Sequence, residues 1–338
     1  MSVAIELRRT VLLTVVLCAI VAGANAASGQ LAGQITSQRW TDQPTELPGH
    51  DEYVYTVAFS GDGSRRVTAA GDNQVVIWDV NQGKVLQDFK HDSTFYAADI
   101  TADGQLVAGA TGDGQVLLWN ATSGKRIASS AAHQDAVYSV AFSPDGKQLA
   151  SVGGKTGSDP GDCVCRLFSV PDMKLIREFS GHDRQVYGVT FSPDGTQLAT
   201  SSGDKTIRIW NVASGDFTVL RGHTSDVYRC KYSADGKWLA SSSQDGTVRV
   251  WSIANQAEIK ALVSKRKEPV YAVDFSSDGQ WLCAVGDDFQ LRIWSTDDYE
   301  LEYRQRIADR ALYAVTVTKD QSIVVAGEDG LLYTVGRR

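Results

Sequence analysis

One short segment of the chain, GHDRQVYGV at residues 181–189, contains the residue types of an active site. His182 follows a glycine, and an aspartate, an arginine and Tyr187 stand within the next five positions. An imidazole beside a carboxylate can act as a general base or a metal ligand, and a phenol can hydrogen-bond a substrate. Whether this segment is a site depends on how often the chain repeats it.

The histidines all belong to one repeated phrase. The chain has five of them, and each occupies the same position of the phrase: His50, His91, His133, His182 and His223. Four copies read GHDEYVYTVAFSGDG from residue 49, AHQDAVYSVAFSPDG from 132, GHDRQVYGVTFSPDG from 181 and GHTSDVYRCKYSADG from 222. Catalysis needs a residue once per site, whereas packing needs it once per repeat. The pattern therefore favours a structural role for His182, and we expect no catalytic residue, no metal and no cofactor.

A second repeated position is an aromatic residue at the end of each copy. This column reads Trp78, Trp119, Phe168, Trp210, Trp251 and Trp294, with spacings of 41, 49, 42, 41 and 43 residues. A seventh copy runs from Tyr313 to Val335 and has no tryptophan at its end. Short strand-like segments at a period of about 40 residues are typical of β-propellers.

The phrases GH, FSPDG, SGDKTIRIWN and SQDGTVRVWS resemble the WD-repeat family over nearly all of the chain after residue 26. The resemblance implies an all-β fold, a seven-bladed propeller with four-stranded antiparallel blades. It also implies that each histidine bonds an aspartate in a strand-connecting turn, and that a strand serine or threonine extends the network to the tryptophan. The expected network residues are His50, Asp72, Trp78, His91, Asp113, Trp119, His182, Asp204, Trp210, His223, Asp245 and Trp251.

Three blades depart from this pattern. Blade three has Phe168 in place of the tryptophan, and blade six has Arg266 in the histidine column. Blade seven has Ala308 in the histidine column and Val335 in the tryptophan column. We expect these blades to lack the complete network and to be less stable than the others.

The strand count predicts how the ring closes. Each repeat supplies three strands after its GH and an outer strand after its aromatic residue, so the seventh repeat lacks an outer strand. We expect the N-terminal segment Gln34 to Leu47 to supply it, because closure removes an exposed sheet edge. The propeller domain is therefore predicted to span residues 27–338, with the closing strand within 27–48.

The first 26 residues have the layout of a secretory signal peptide. Arg8 and Arg9 precede an apolar run of 13 residues, and Ala24 and Ala26 follow at the small-residue positions before a cleavage site. The run is short of the ~20 residues that cross a bilayer. We expect cleavage after Ala26, export to a periplasm or the extracellular space, and no membrane span afterwards.

A tyrosine stands in every repeat, including the two without histidine. The column is Tyr55, Tyr96, Tyr138, Tyr187, Tyr228, Tyr271 and Tyr313. Val186 and Val189 flank it three residues apart, so both can face the core only if a β-bulge lies between them. By the resemblance, the tyrosines ring the mouth of the central channel on the face of the GH loops. They serve either as packing between blades or as an aromatic platform for a partner.

Other features narrow the choice of partner. A net charge of −7 argues against nucleic acid, which needs a basic surface. The residue before the turn aspartate is glycine in blades one to four and polar or acidic in blades five to seven, where it is Gln244, Asp287 and Glu328. This asymmetry indicates a basic group on the partner. An insertion, SVGGKTGSDPG at residues 151–161, is expected beside Tyr138.

Two classes of function remain. The first is a monomeric, non-catalytic scaffold that binds a protein or peptide on the tyrosine-lined face. The second is an exported propeller that uses the channel mouth in one of two ways. It either binds a small ligand there, such as a carbohydrate, or is itself an enzyme. The first is favoured, because the sequence shows no cluster of unique polar residues outside the repeat columns.

Overall fold

The structure, a computed structural model, describes residues 40–41, 44–155, 161–263 and 267–337. These ranges form seven four-stranded antiparallel sheets. Each sheet is one blade, and the predicted seven-bladed, all-β propeller is confirmed. The proposed signal peptide at residues 1–26 lies outside the described residues. Within them, no helix has the length and apolar character needed to cross a bilayer.

The strands follow the repeat. Blade one consists of β2 (Val54–Phe59), β3 (Arg65–Ala70), β4 (Gln74–Asp79) and β5 (Lys84–Lys90). Blade two consists of β6 (Phe95–Ile100), β7 (Leu106–Thr111), β8 (Gln115–Asn120) and β9 (Arg126–Ala131). Blade three consists of β10 (Val137–Phe142), β11 (Gln148–Gly153), β12 (Cys165–Ser169) and β13 (Leu175–Phe179). Blade four consists of β14 (Val186–Phe191), β15 (Gln197–Ser202), β16 (Thr206–Asn211) and β17 (Phe217–Arg221). Blade five consists of β18 (Val227–Tyr232), β19 (Trp238–Ser243), β20 (Thr247–Ser252) and β21 (Ala257–Val263). Blade six consists of β22 (Val270–Phe275), β23 (Trp281–Gly286), β24 (Gln290–Ser295) and β25 (Leu301–Arg306). Blade seven consists of β26 (Leu312–Val317), β27 (Ile323–Gly327), β28 (Leu332–Val335) and the N-terminal β1 (Thr45–Leu47).

The first strand of each blade is innermost. Strands β2, β6, β10, β14, β18, β22 and β26 contact one another in succession, and β26 returns to β2. The turn after each of these strands explains the FSPDG phrase. In blade four, Ser192 Oγ and the Thr196 N–H both donate to Asp194 Oδ1, at 2.6 and 3.0 Å. Gly195 adopts a φ of 71°, which favours glycine.

The ring closes through the N-terminus, as the strand count predicts. Strand β1 pairs with β28, with Thr45 opposite Thr334. Upstream, Trp40 is fully buried, and its ring meets Trp281 edge-on at 5.9 Å and Tyr303 at 6.3 Å. Trp40, which precedes the first blade, is therefore part of the core.

The predicted bulge is present in every blade. The innermost pair shifts register between the residue before the tyrosine and the residue after it, for example between Val186 and Gly188. The same shift occurs in the other six blades. Because a bulge re-aims the side chain of the unpaired residue, each tyrosine leaves the regular alternation of its strand.

The hydrophobic core lies between adjacent blades. One cluster joins Val67 and Ile77 of blade one to Phe95 and Trp119 of blade two, and equivalent clusters fill the other interfaces. At the closing interface, Val54 and Ala70 of blade one pack with residues of blade seven. Burial of these apolar faces is the main source of the ring's stability.

Candidate functional site

A continuous polar network crosses blade four behind the channel mouth. His182 Nδ1 lies 2.7 Å from Asp204 Oδ2, and His182 Nε2 lies 2.8 Å from Thr200 Oγ1. Trp210 Nε1–H donates to the same hydroxyl oxygen at 2.8 Å. The chain of bonds thus connects the loop before β14 to the second and third strands of the blade.

The donors and acceptors of this network assign its protons. Because the indole N–H of Trp210 can only donate, the Thr200 oxygen accepts from it and the Thr200 hydroxyl donates to His182 Nε2. Because the carboxylate of Asp204 can only accept, His182 Nδ1 carries the proton that bonds it. Burial opposes ionisation of Asp204, but the hydrogen bonds from His182 and Thr206 outweigh it and lower the carboxyl pKa. Both ring nitrogens of His182 are therefore bonded within the blade, which leaves neither free for catalysis.

Two other blades contain the complete network. Blade one builds it from His50, Asp72, Thr68 and Trp78, and blade five from His223, Asp245, Ser241 and Trp251. The histidine-to-aspartate distances are 2.8 and 2.9 Å. In blade five, burial lowers the pKa of His223, and Asp245 offsets part of this shift.

Blade two brings His91 and Asp113 together but does not join them to Trp119 through a strand hydroxyl. His91 Nε2 lies 3.0 Å from Asp113, and the strand position that supplies a hydroxyl elsewhere is Gly109. The space that a side chain at position 109 would occupy is filled by Phe95. Phe95 is fully buried, and its ring centroid lies 6.0 Å from that of Trp119. The expectation of a complete network is therefore wrong for this blade, because aromatic packing replaces the hydroxyl.

Blade three retains more of the network than its missing tryptophan suggests. His133 lies 2.9 Å from Ser151 Oγ and 3.2 Å from Asp162 Oδ2. Arg166 also reaches both His133 and Asp162. Only the indole is lost, since Phe168 has no N–H to donate.

Blades six and seven use other pairs. Asp288 forms an ion pair with Arg292 in blade six, and Asp329 accepts the Tyr333 hydroxyl at 2.7 Å in blade seven. In the histidine and tryptophan columns, Ala308 and Val335 are buried, whereas Arg266 lies outside the described residues. The turn aspartate thus finds a partner even where histidine is absent.

The seven predicted tyrosines form a closed ring. Neighbouring ring centroids lie 5.2–5.8 Å apart all the way round, and Tyr313 contacts Tyr55 to complete the circuit. Tilted contacts at this distance are favourable between aromatic rings. Tyr53, which the repeat does not single out, extends the ring by edge contacts with Tyr55 and Tyr313 at 6.4 and 6.3 Å.

The tyrosines are not equally accessible. Tyr138, Tyr271 and Tyr313 are buried, whereas the other four members of the ring are partly exposed: Tyr55, Tyr96, Tyr187 and Tyr228. Burial raises the pKa of Tyr96 to about 12 and raises those of Tyr55, Tyr138, Tyr187 and Tyr313 further. These five hydroxyls are therefore neutral at physiological pH, and the ring presents a partly exposed aromatic surface.

Carboxylates border the ring on several sides. On blades six and seven, burial and the charges of Glu268 and Glu328 raise the pKa of Asp287, which also bonds Tyr271. The Tyr187 hydroxyl donates to Asp226 Oδ2 at 3.1 Å. Because Asp226 follows blade four, acidic groups extend beyond the part of the rim that the sequence indicates. Glu268, Asp287 and Glu328 together are called the acidic arc, because the charges of the two glutamates act on Asp287.

A cavity of about 350 Å³ lies along the channel beneath the ring. Its wall includes Arg229 and Lys231 of blade five and Asp99 of blade two. Lys231 interacts electrostatically with Asp99 and with the buried Asp274 of blade six. The repeat pattern does not single out this charged group, because its residues occupy inner-strand columns that are small or neutral in most other repeats.

No group of three or more His, Cys, Asp or Glu side chains that could hold a metal ion occurs in the described part of the chain.

The blades, bulges and His–Asp–Trp networks define a WD-repeat β-propeller, a class of typically non-enzymatic scaffolds that bind proteins. The family model described as WD domain, G-beta repeat matches residues 41–79. The model described as IFT122 first beta-propeller matches residues 94–335, and the chain belongs to this family. No curated protein matches the chain.

Proposed function

We propose that this protein is an exported, non-catalytic scaffold that binds a basic segment of a protein or peptide on its tyrosine face. The observation that carries the proposal is the closed tyrosine ring with an acidic arc on one side. Tyrosine offers a large contact area and a hydroxyl at little cost in conformational entropy. Rings that already pack against each other lose still less freedom when a partner binds.

The acidic arc supports a basic partner. Burial raises the pKa of Asp287, and the charges of Glu268 and Glu328 repel its carboxylate and raise the pKa further. Arg310 lies 3.3 Å from Glu328 but is itself exposed. A lysine or arginine of a partner relieves the repulsion and can lie against the aromatic rings by a cation–π contact.

Affinity capture with the purified protein tests the binding face. We expect the partner to be lost when Tyr96, Tyr187 and Tyr228 are changed together to alanine. The control changes three exposed apolar residues of the outer strands, Leu175, Ile176 and Phe217, which are 53%, 50% and 43% exposed. Circular dichroism verifies that both variants are folded. Retention by the tyrosine variant, or equal loss from the control, contradicts the proposal.

A second pair of variants tests the charge of the partner. Asp287→Asn is expected to weaken binding severalfold, and the effect should shrink at high salt. Asp297→Asn removes an equally charged, exposed group from the other end of blade six and should leave the affinity unchanged. Equal affinities for the two variants contradict a basic partner.

Export is tested separately from binding. The apolar run and the Ala24–Ala26 pattern support cleavage after Ala26. We expect N-terminal sequencing of the native protein to begin at Ala27 and the protein to lie outside the cytoplasm. Recovery of the protein with residues 1–26 intact in the cytoplasm contradicts this part of the proposal.

A further inference from the structure

The inner wall of blade five differs from the walls of the other blades. The position after the tyrosine is Arg229, and the equivalent residues are small: Thr56, Ala97, Ser139, Gly188, Ala272 and Ala314. Two residues further along the same strand stands Lys231, which is exposed within the channel cavity. One blade therefore brings two cations to a cavity whose other walls are mostly alanine, valine and small polar residues.

Arg229 is held in place from beneath the tyrosine ring. Its Nη1 donates to the main-chain carbonyl of Tyr187 at 2.5 Å and lies 3.4 Å from that of Tyr138. The guanidinium thus reaches from blade five past blade four to blade three. Gly188 allows the close approach, because a Cβ at this position would lie 2.9 Å from the Tyr228 carbonyl and 3.3 Å from Arg229 Cα.

Arg229 has no counter-ion among the described residues. Its hydrogen bonds go to the carbonyl oxygens of Tyr187 and Tyr138, and burial lowers its pKa to about 10, so it is still charged at neutral pH. Carbonyls leave a net positive charge in place, and a desolvated charge without a counter-ion is costly. A guanidinium also has five N–H donors, more than these two carbonyls use. Lys231 differs, since Asp99 and Asp274 act on its charge.

The acidic group in the cavity does not fill this role. Asp99 accepts main-chain N–H groups from Ile100 at 2.9 Å and from Phe142 at 2.8 Å. Its carboxylate therefore joins blade two to blade three, and burial raises its pKa. Asp274 makes the same kind of connection, accepting from Phe275 and Val317. Both carboxylates are engaged with the backbone, and neither is paired with Arg229.

We propose that the channel cavity is a binding site for a small organic carboxylate, with Arg229 as the main anion ligand and Lys231 as the second. The cavity volume of about 350 Å³ suits a small molecule. Valine and alanine walls suit an apolar body, and a guanidinium can bind a carboxylate with two parallel hydrogen bonds. The cavity extends to Pro144, Pro193 and Ala234, in the turns opposite the tyrosine face, and this end is the proposed route of access. The cavity also reaches Tyr55 and Tyr313 of the tyrosine ring, so the site lies directly beneath the proposed protein-binding face and its ligand enters from the opposite end.

Isothermal titration calorimetry of the purified protein with butyrate and butyramide tests the charge requirement. The two probes have nearly the same shape and differ in charge. We expect butyrate to bind at least tenfold more tightly than butyramide. Equal binding of the two probes contradicts the proposal, and so does the absence of saturable binding by acetate, butyrate and succinate. Binding of inorganic phosphate without these carboxylates would show an anion site of another class and also overturn it.

Variants assign the site to blade five. Arg229→Met should weaken butyrate binding at least tenfold, and Lys231→Met severalfold. Lys231 is exposed and acts on Asp99 and Asp274 through its charge, without a hydrogen bond to either among the described residues. We therefore expect Lys231→Met to fold, which keeps the test decisive if Arg229→Met does not. Lys260→Met removes an exposed cation from the outer strand of the same blade and should bind butyrate as the unmodified protein does. Unchanged binding in Lys231→Met, or equal losses in Lys231→Met and Lys260→Met, contradicts the assignment.

Discussion

Blade four and blade two occupy equivalent places in the ring but are stabilised by different side chains. In blade four, Thr200 connects His182 to Trp210, and the His182 and Asp204 side chains are only 2% and 7% exposed. In blade two, Gly109 replaces the hydroxyl, and the exposures of His91 and Asp113 rise to 15% and 41%. Phe95 fills the space instead.

This comparison shows that the histidine network is one of several ways to stabilise a blade. Blade six and blade seven place other pairs at the turn aspartate, yet each keeps its tyrosine, as Tyr271 and Tyr313. The network therefore varies with local packing, whereas the tyrosine ring is complete. A role shared by all seven blades at the channel mouth explains this difference better than local packing does.

The largest effect is expected in blade two, where Phe95→Ala removes the aromatic packing. The side chain is fully buried between Gly109 and Trp119, so its truncation should lower the free energy of unfolding by about 3–5 kcal/mol. Urea denaturation followed by tryptophan fluorescence measures this change. A loss below about 1 kcal/mol would mean that Phe95 does not replace the network.

Removal of the two histidines compares the blades directly. His182→Ala should cost about 1–3 kcal/mol, because Asp204 and Thr200 lose a buried partner. His91→Ala should cost less than about 1 kcal/mol, because its bond to Asp113 is partly exposed. Urea denaturation midpoints of the two variants, measured side by side, compare these stability costs. Equal costs would show that the hydroxyl and the burial of blade four contribute nothing.

A double substitution should convert blade two to the blade-four arrangement. A Cβ on Gly109 would lie 2.9 Å from Phe95, so Gly109→Ser alone is destabilising. Phe95→Val provides space, and the serine hydroxyl can then bond His91 and Trp119. We expect the double variant to be more stable than the sum of the singles by about 1 kcal/mol. Simple additivity in a urea-based double-mutant cycle would contradict this interpretation.

The smallest effect is a dependence of stability on pH. The folded pKa of His223 lies below the ordinary 6.5, so the unfolded chain binds more protons below that pH. The free energy of unfolding should therefore fall as the pH drops from 7 towards 5. The pKa of Asp204 and Asp245 is lowered from 3.8, and their contribution should be lost at still lower pH. His223→Ala should flatten the first decline, and an unchanged slope would contradict the assignment.

Much of the fold follows from local sequence signals. The repeat phrases predict seven blades, the missing strand predicts β1, and the spacing of Val186 and Val189 predicts the bulge. These features depend on short segments whose turn and strand preferences agree with the final structure. The position of Tyr187 beside its neighbours follows once the ring is closed.

The remainder depends on contacts between distant repeats. Phe95 and Gly109 compensate for each other across two strands, and neither residue alone signals a change in the network. Arg229 and Asp99 line one cavity although they belong to blades five and two. Only the curvature of the closed ring brings such residues to one channel. In an alignment of the repeats, each of them is merely a departure from the residue type common at its position.

We propose that the histidine column stabilises the propeller while the tyrosine column binds the partner. The most direct test measures the affinity for the captured partner by calorimetry in His182→Ala and Tyr187→Ala, under conditions where both variants are folded. We expect His182→Ala to leave the dissociation constant within about twofold and Tyr187→Ala to raise it at least tenfold, or about 1.4 kcal/mol. An unchanged affinity in Tyr187→Ala, or a tenfold loss in His182→Ala, contradicts this proposal.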